Sequence, residues 1–334
     1  MDTKYISFDT WHGGFNNIRQ SYELAAAISF ITGRTLILPH KIFVDHISSH
    51  SDKATFFDIW SVYNKSAFTS NFNCIDYKDV PEYAKYENSQ QYFSGICNDI
   101  TCFGDNGVEW GAGNYLSSKV LSIKNNAENI NNSESIININ VEDKFIHFPR
   151  NLFGYFYELI ELTEAQSKEF KKKLKAGLKF KQEFEDKARI IINGDYNAVH
   201  LRFGDFNITR SNDTQNLNEN LYEIIKNNFE TTKPLFIATD ETDIAKFDKL
   251  KQEYNLVFYK STDAVEALVV DMLACSNATK FLGSKYSTYT LYVHILRHYK
   301  NKLDYSKLGL NYNNENLINA RENYNWHTLF TEMY

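Results

Sequence analysis

Between residues 198 and 298, apolar runs of four or five residues alternate with longer segments of helical period. This alternation constrains the fold more than any other feature of the chain. Strands are expected at Ala198–Arg202, Leu235–Ala238, Leu256–Tyr259 and Lys280–Gly283, and helices at 217–229, 242–253, 264–275 and 286–298. Short strands alternating with helices of this length specify a parallel, Rossmann-like sheet covered by helices. Such sheets take their ligands at the carboxyl ends of their strands. Three polar loops fall there: His200-Leu201-Arg202-Phe203-Gly204-Asp205, Ala238-Thr239-Asp240-Glu241 and Gly283-Ser284-Lys285-Tyr286-Ser287-Thr288.

The first half opens with a related unit. Tyr5–Asp9 reads as a strand, and Trp11-His12-Gly13-Gly14-Phe15-Asn16-Asn17 as a polar glycine loop. A helix is expected from about Asn16 to Ile31, with Ile18, Ala25, Ile28 and Ile31 as a partial apolar face. Gly33 is placed to stop it, and Thr35–Leu38 is the next strand. Two glycines before a helix let backbone approach an anion, although a tight turn without a ligand reads the same way. The dinucleotide fingerprint GxGxxG is absent here.

Residues 40–160 carry less pattern. Phe56–Trp60 reads as core, Phe145–Phe148 as a strand and Leu152–Leu159 as a buried helix; His46, His50 and His147 are scattered. Thr163 and Gln166 fit a capping box opening a helix that carries Phe170, Leu174 and Leu178, with lysines on its solvated side. The domain boundary is expected between this helix and a strand at 190–192. That gives an N-terminal Rossmann-like domain over 1–190 and a C-terminal one over 191–334, with the tail 315–334 packing back on the first.

Composition sets limits. A length of 334 residues suits two domains, and 43% hydrophobic content suits a globular chain. A net charge of −6 argues against general nucleic-acid binding. Cys74, Cys97, Cys102 and Cys275 show no metal spacing; free buried thiols are expected, with Cys97–Cys102 as the alternative pair. The N-terminus lacks a signal-peptide pattern, and no apolar window reaches the ~18 residues that span a bilayer. A soluble, cytoplasmic protein is the expectation.

Each polar loop has a functional and a plain reading. Arg202 offers a planar fork of donors for phosphate, with the His200 ring beside it, or else Arg202 pairs with Asp205 at the strand end. The Asp240 carboxylate matches the N1–H and N2–H donors of guanine, or else caps the following helix. Ser287 and Thr288 either cradle phosphate at a helix start or cap it. No DxD motif occurs in the chain, so Arg202 and a helix terminus are left to neutralise a nucleotide diphosphate.

Four of these stretches carry a resemblance. His12-Gly13-Gly14-Phe15-Asn16-Asn17-Ile18-Arg19 with Thr35–Pro39 resembles the first motif of the GDP-fucose protein O-fucosyltransferase family, itself similar to the α1,6- and α1,2-fucosyltransferases. Val199–Asp205 resembles the family's HxRxGD-type motif, and Ala238-Thr239-Asp240 and Gly283–Thr290 its two later motifs, all in family order. The resemblance implies a GT-B architecture of two Rossmann-like domains facing a cleft, and inverting transfer of fucose from GDP-fucose to a glycan or peptide hydroxyl without metal or other cofactor. It implies that Arg202 holds the β-phosphate, that His200 and Asp240 read guanine, and that Ser287, Thr288 and Tyr289 close on the pyrophosphate. Asn16, with Gly14 and Phe15 by backbone, is implied to reach the sugar phosphate. Some members carry a glutamate base in the glycine loop; here that position is Gly13, so the base stays open among His12, Asp9 and Asp205. Transfer of another GDP-linked sugar and silent GDP-sugar binding are the alternative functions.

Overall fold

A computed structural model of the chain describes residues 3–8, 14–39, 42–43, 56–81, 122–125, 136–139, 144–148, 162–204, 211–284 and 287–300. The chain divides into two compact units, the first running to Phe180 and the second starting at Lys181.

In the first unit, β1 (Tyr5–Phe8) leads into α1 (Phe15–Thr32) and β2 (Thr35–Leu38), the strand–helix–strand unit expected from the sequence. Gly33 ends α1 in the left-handed region, at φ 68°. Then come β3 (Ile42–Phe43) and β4 (Phe56–Phe57), which pair antiparallel, and α2 (Lys65–Asn71) and β5 (Cys74–Asp76). A parallel pair, β6 (Ser122–Asn125) and β7 (Ile136–Ile139), precedes β8 (Phe145–Phe148) and α3 (Glu164–Gly177). The main sheet has the order β5-β2-β1-β8, with every pair parallel. Ile6, Phe8, Leu36, Ile37, Leu38, Ile146 and Phe148 are all buried, as strands of a sheet covered on both faces require. The capping box on α3 forms as expected: the Thr163 side chain accepts the Gln166 N–H, and the Gln166 side chain accepts from the Thr163 N–H.

α1 departs from expectation. Instead of one partial apolar face, every residue from Phe15 to Ser29 is buried except Asn17. Its polar members are therefore held inside. Arg19 pairs with Glu23 at 2.8 Å, donates to the Tyr63 hydroxyl at 3.2 Å and lies over that ring. Breaking a buried pair of this kind costs about 3–5 kcal/mol because it strands a charge.

In the second unit the elements are α4 (Gln182–Ile190), β9 (Asn197–Leu201), α5 (Ser211–Asn228), β10 (Leu235–Thr239), α6 (Asp248–Lys251), β11 (Leu256–Val257), α7 (Ala264–Asn277), β12 (Lys280–Gly283) and α8 (Thr288–Tyr299). The sheet runs β11-β10-β9-β12, all parallel, with Ala238 opposite His200 and Gly283 on its other side. Alternate residues of β9 divide the labour. Val199 and Leu201, with Phe203 beyond, pack into a core with Leu221, Ile225, Phe229, Ile237 and Leu250. His200, between them, faces the other way, toward α8.

Three differences from the sequence reading concern boundaries. The strand expected at 190–192 does not form: Ile190 ends α4 and is 78% exposed, so its apolar side chain misled the periodicity. α4 itself lies ahead of the expected 190–191 boundary yet belongs to the second unit. The reason is packing: Phe184 and Ala188 are buried, and Lys187 is hydrogen-bonded to Glu266 near the start of α7. The helix expected at 242–253 splits into a 3-10 turn, Ile244–Phe247, and α6; Asp243 caps the turn by accepting the Ala245 N–H at 3.1 Å. Leu152–Leu159, His46, His50, Cys97, Cys102 and the tail 315–334 lie outside the described residues. No helix among the described residues is long and apolar enough to cross a membrane.

Candidate active site

The carboxyl end of β9 gathers the polar residues of the second unit. Two strand ends flank it, and each supplies a group that fixes it. From β10, the Asp240 carboxylate uses both oxygens: Oδ1 accepts the Phe203 N–H at 2.7 Å, and Oδ2 pairs with Arg202 Nε at 3.2 Å. This approach requires Gly204, because a Cβ there would lie 2.6 Å from Asp240 Oδ2. From β12, the Ser284 hydroxyl accepts the Arg202 N–H at 2.8 Å and donates to the His200 carbonyl at 3.1 Å. The Ser284 N–H also donates to that carbonyl, at 3.0 Å. Arg202 is thus held by backbone and by side chain. Its Nε–H is one of five guanidinium donors in a fixed fork, the geometry that binds phosphate oxygens in pairs.

Asp240 therefore does not cap the following helix; Asp243 caps the turn after it. The two Asp240 oxygens hold Phe203 and Arg202.

His200 sits behind Arg202 and is buried. Its Nδ1 is 2.9 Å from the Thr290 hydroxyl, and its ring stacks on Tyr289 with centroids 4.2 Å apart. Burial, helped by the Arg202 charge, pulls its pKa down to about 3, so the ring is neutral at ordinary pH. Thr290 reaches it because Gly283 has no side chain; a Cβ there would lie 2.2 Å from Thr290 Cγ2. Tyr289 is buried and its hydroxyl donates to the Leu268 carbonyl at 3.5 Å, with burial keeping the phenol protonated. Ser287 and Thr288 stand at the start of α8, where the Ser287 carbonyl accepts the Leu291 N–H at 3.2 Å.

Electrostatically coupled to Tyr289 is a carboxylate that the strand-end reading passed over. Asp271, on α7, has a buried Oδ1 with no hydrogen-bond partner among the described residues. Burial raises its pKa well above the usual carboxylate range, and its charge is felt by Tyr289, Tyr259 and Cys275. A buried acceptor left unpaired is costly, and a ligand N–H would satisfy it.

In the first unit, Gly14 precedes α1 with φ −67° and makes no side-chain cap. Phe15 is buried and stacks on Tyr63. Asn16 is 3% exposed, and its Oδ1 has no hydrogen-bond partner among the described residues; Asn17 Oδ1 and Gln20 Nε2 share that state. His12, Gly13, Asp9 and Asp205 lie outside the described residues. The structure thus brings His200, Arg202 and Asp240 together at one strand end, with Ser284 and Thr290 added and Tyr289 of α8 stacked on His200. The signal for Asp271 was in the sequence, as a lone carboxylate inside the apolar run Ala267–Cys275.

A model of the family described as "GDP-fucose protein O-fucosyltransferase" matches residues 5–300. The chain is 27% identical over 234 residues to GDP-fucose protein O-fucosyltransferase 2 of Plasmodium berghei (strain Anka), which covers 65% of this chain and 44% of that protein. The chain thus spans less than half the length of this curated relative. Among solved structures, POFUT1 in complex with GDP-fucose aligns with a TM-score of 0.51 at 11% identity, over 88% of this chain and 94% of that one. POFUT1 with GDP aligns at 0.50 and 12%, over 89% and 95%. At such identities the likeness is one of fold, and the expected α/β, GT-B class is borne out.

Proposed function

This chain belongs to the GDP-fucose protein O-fucosyltransferase family, and we propose that it is a fucosyltransferase moving fucose from GDP-fucose to a hydroxyl of a glycan or peptide. The observation that carries the reading is the fixed Arg202, with Ser284 on its backbone N–H and Asp240 on its Nε. A pre-positioned fork of donors at a parallel-strand end suits the two phosphates of a nucleoside diphosphate.

In the proposed reaction the acceptor oxygen bonds to the fucose anomeric carbon while the bond from that carbon to the β-phosphate oxygen breaks. The electron pair leaves with GDP, and the acceptor proton goes to a base. Attack from the face opposite the leaving group inverts the carbon. Arg202 takes the charge that grows on the phosphate, the role a metal ion plays elsewhere, so the reaction is proposed to be metal-independent. His12, Asp9 and Asp205 remain the candidates for the base; cleavage that runs ahead of attack lessens the demand on it. Ser287, Thr288 and Tyr289 at the start of α8 are proposed to close on the pyrophosphate.

For the base, the roles divide differently from the motif expectation. Both Asp240 oxygens serve Phe203 and Arg202, so Asp240 is proposed to orient Arg202. The Asp271 carboxylate, one of whose oxygens is buried and unpaired among the described residues, is proposed to accept the N1–H and N2–H of guanine with its two oxygens, with His200 on the neighbouring acceptor.

The test is GDP release from GDP-fucose with a panel of glycan and peptide acceptors, with product anomer read by NMR. Acceptor-dependent release giving the inverted anomer is expected. EDTA is expected to leave the rate within about twofold, ~0.4 kcal/mol in barrier. Loss of rate on chelation that Mn²⁺ or Mg²⁺ restores overturns metal independence. Tight GDP binding with no transfer to any acceptor favours the silent-binder alternative.

A further inference from the structure

The Thr290 hydroxyl is fully buried, and its hydrogen-bond partner is His200 Nδ1, 2.9 Å away. A buried hydroxyl carries one proton that needs an acceptor, and an orphaned donor is among the costliest defects a core can hold. Among the described residues that proton has one destination, the Nδ1 lone pair. A neutral imidazole that accepts at Nδ1 must carry its own proton at Nε2. We infer that Thr290 is a positioning residue that fixes His200 in the Nε2–H form and so makes the ring a hydrogen-bond donor toward the nucleotide base.

The consequence is a specificity rule, and it rests on the donor-site reading above. A ring presenting N–H requires an acceptor on the base edge it meets. Guanine offers O6 and N7, whereas adenine puts an N6 amino donor where guanine has O6. Donor would then face donor. Thr290 thus supplies one half of the discrimination, and the Asp271 carboxylate, facing the N1–H and N2–H donors, supplies the other. The arrangement is stable against pH because the ring is neutral at ordinary pH, held so by burial and Arg202. It is stable against rotation because the ring is clamped on Tyr289. Gly283 completes the device: any side chain there would push Thr290 off the strand.

The experiment reads the tautomer directly. Long-range ¹H–¹⁵N correlation spectra of the ¹⁵N-histidine protein give the protonation of each ring nitrogen, and His200→Asn identifies the His200 signals. Thr290→Val removes the hydroxyl at nearly constant shape, and Thr290→Ser restores it. The wild type and Thr290→Ser are expected to show Nε2–H alone. Thr290→Val is expected to mix in the Nδ1–H form and to lower the GDP-over-ADP affinity ratio by about tenfold, the worth of one hydrogen bond. An Nδ1–H ring in the wild type overturns the inference without any variant. So does a Thr290→Val protein whose ring stays Nε2–H and whose ratio is unchanged. A wild type that binds none of GDP, ADP and UDP overturns the donor-site reading instead, while its ring spectrum still decides the role of Thr290.

Discussion

The end of β9 and the start of α1 both place buried polar side chains just after a strand of a parallel sheet, but they are finished differently. At the end of β9 Arg202 and His200 both have protein partners: Arg202 with Asp240 and Ser284, His200 with Thr290 and Tyr289. At α1, Asn16 Oδ1, Asn17 Oδ1 and Gln20 Nε2 are buried with none. A bonded network holds its groups in place before a ligand arrives, so binding does not have to order them. Unbonded buried groups carry a standing cost in the free protein, which a ligand can relieve. The contrast teaches that the end of β9 is built as a finished template around Arg202 and His200, whereas the start of α1 keeps hydrogen-bonding capacity in reserve.

The largest effect expected from breaking the template is at Arg202. Arg202→Ala removes two charge-assisted bonds to phosphate, about 1.5–3 kcal/mol each. Transfer is expected to vanish and GDP affinity to fall more than about a hundredfold. Arg202→Lys is expected to fail as well, since a point charge does not replace the fork. Calorimetric titration of GDP with the folded variants checks this; near-wild-type turnover in either would remove Arg202 from the reaction.

Next comes the acid response of the template. His200 has a folded pKa of about 3, against about 6.5 unfolded. Between those values the unfolded chain binds a proton that the folded chain refuses. This contribution to stability is therefore complete above about pH 6.5 and is lost as pH falls toward 3. By pH 4 the loss is on the order of 3 kcal/mol. Chemical denaturation from pH 7 to 4 is expected to show a shallower decline for His200→Asn than for the wild type. Parallel declines would mean that the ring charges in the folded state.

The two carboxylates separate orientation from base reading. Asp271→Asn is expected to narrow the GDP-over-ADP ratio by roughly 10–100-fold, since a site built for a donor pair loses it. Asp240→Asn is expected to weaken GDP and ADP equally, through Arg202. Because burial raises the Asp271 pKa, binding GDP through its ionised form should release a proton. GDP affinity is then expected to rise with pH more steeply than ADP affinity. Titrations in buffers of different ionisation enthalpy measure the proton directly. Equal loss of both nucleotides in Asp271→Asn would return base reading to Asp240.

How much of this was legible depends on the range of the interaction. The strands of the second sheet stood out because short apolar runs between helices have few other solutions; Lys280–Gly283 matches residue for residue, as Phe145–Phe148 does in the first sheet. The motif residues His200, Arg202 and Asp240 were found because they lie at strand ends, and Tyr289 because it lies at the start of the helix after one. What they do was not legible. Whether Asp240 caps a turn or holds Arg202 depends on a Cβ-free approach at Gly204, a tertiary fact. The unit boundary failed for a similar reason: α4 carries an ordinary amphipathic pattern, and only Lys187 reaching Glu266 says which unit it joins. Thr290 and Ser284 act through neighbours 90 and 82 residues away in sequence, a distance that no local pattern spans.

The smallest effect is expected in the first unit, and it tests the contrast most closely. If Asn16 is held in reserve, replacing it with an apolar residue of similar volume removes a cost rather than a bond. Asn16→Leu is then expected to leave stability unchanged or to raise it by up to ~1 kcal/mol, while lowering turnover of GDP-fucose. Thr290→Val, by comparison, deletes a bonded group and should lower stability by about 1 kcal/mol. The pair gives opposite signs from similar polar-to-apolar changes. Denaturant midpoints at constant slope measure both. A fall in stability for Asn16→Leu matching that of Thr290→Val would show that the amide oxygen is bonded in the free protein. Unchanged turnover would show instead that its unpaired state serves no ligand. The first outcome erases the difference between the two units, and the second leaves the difference while removing its functional meaning.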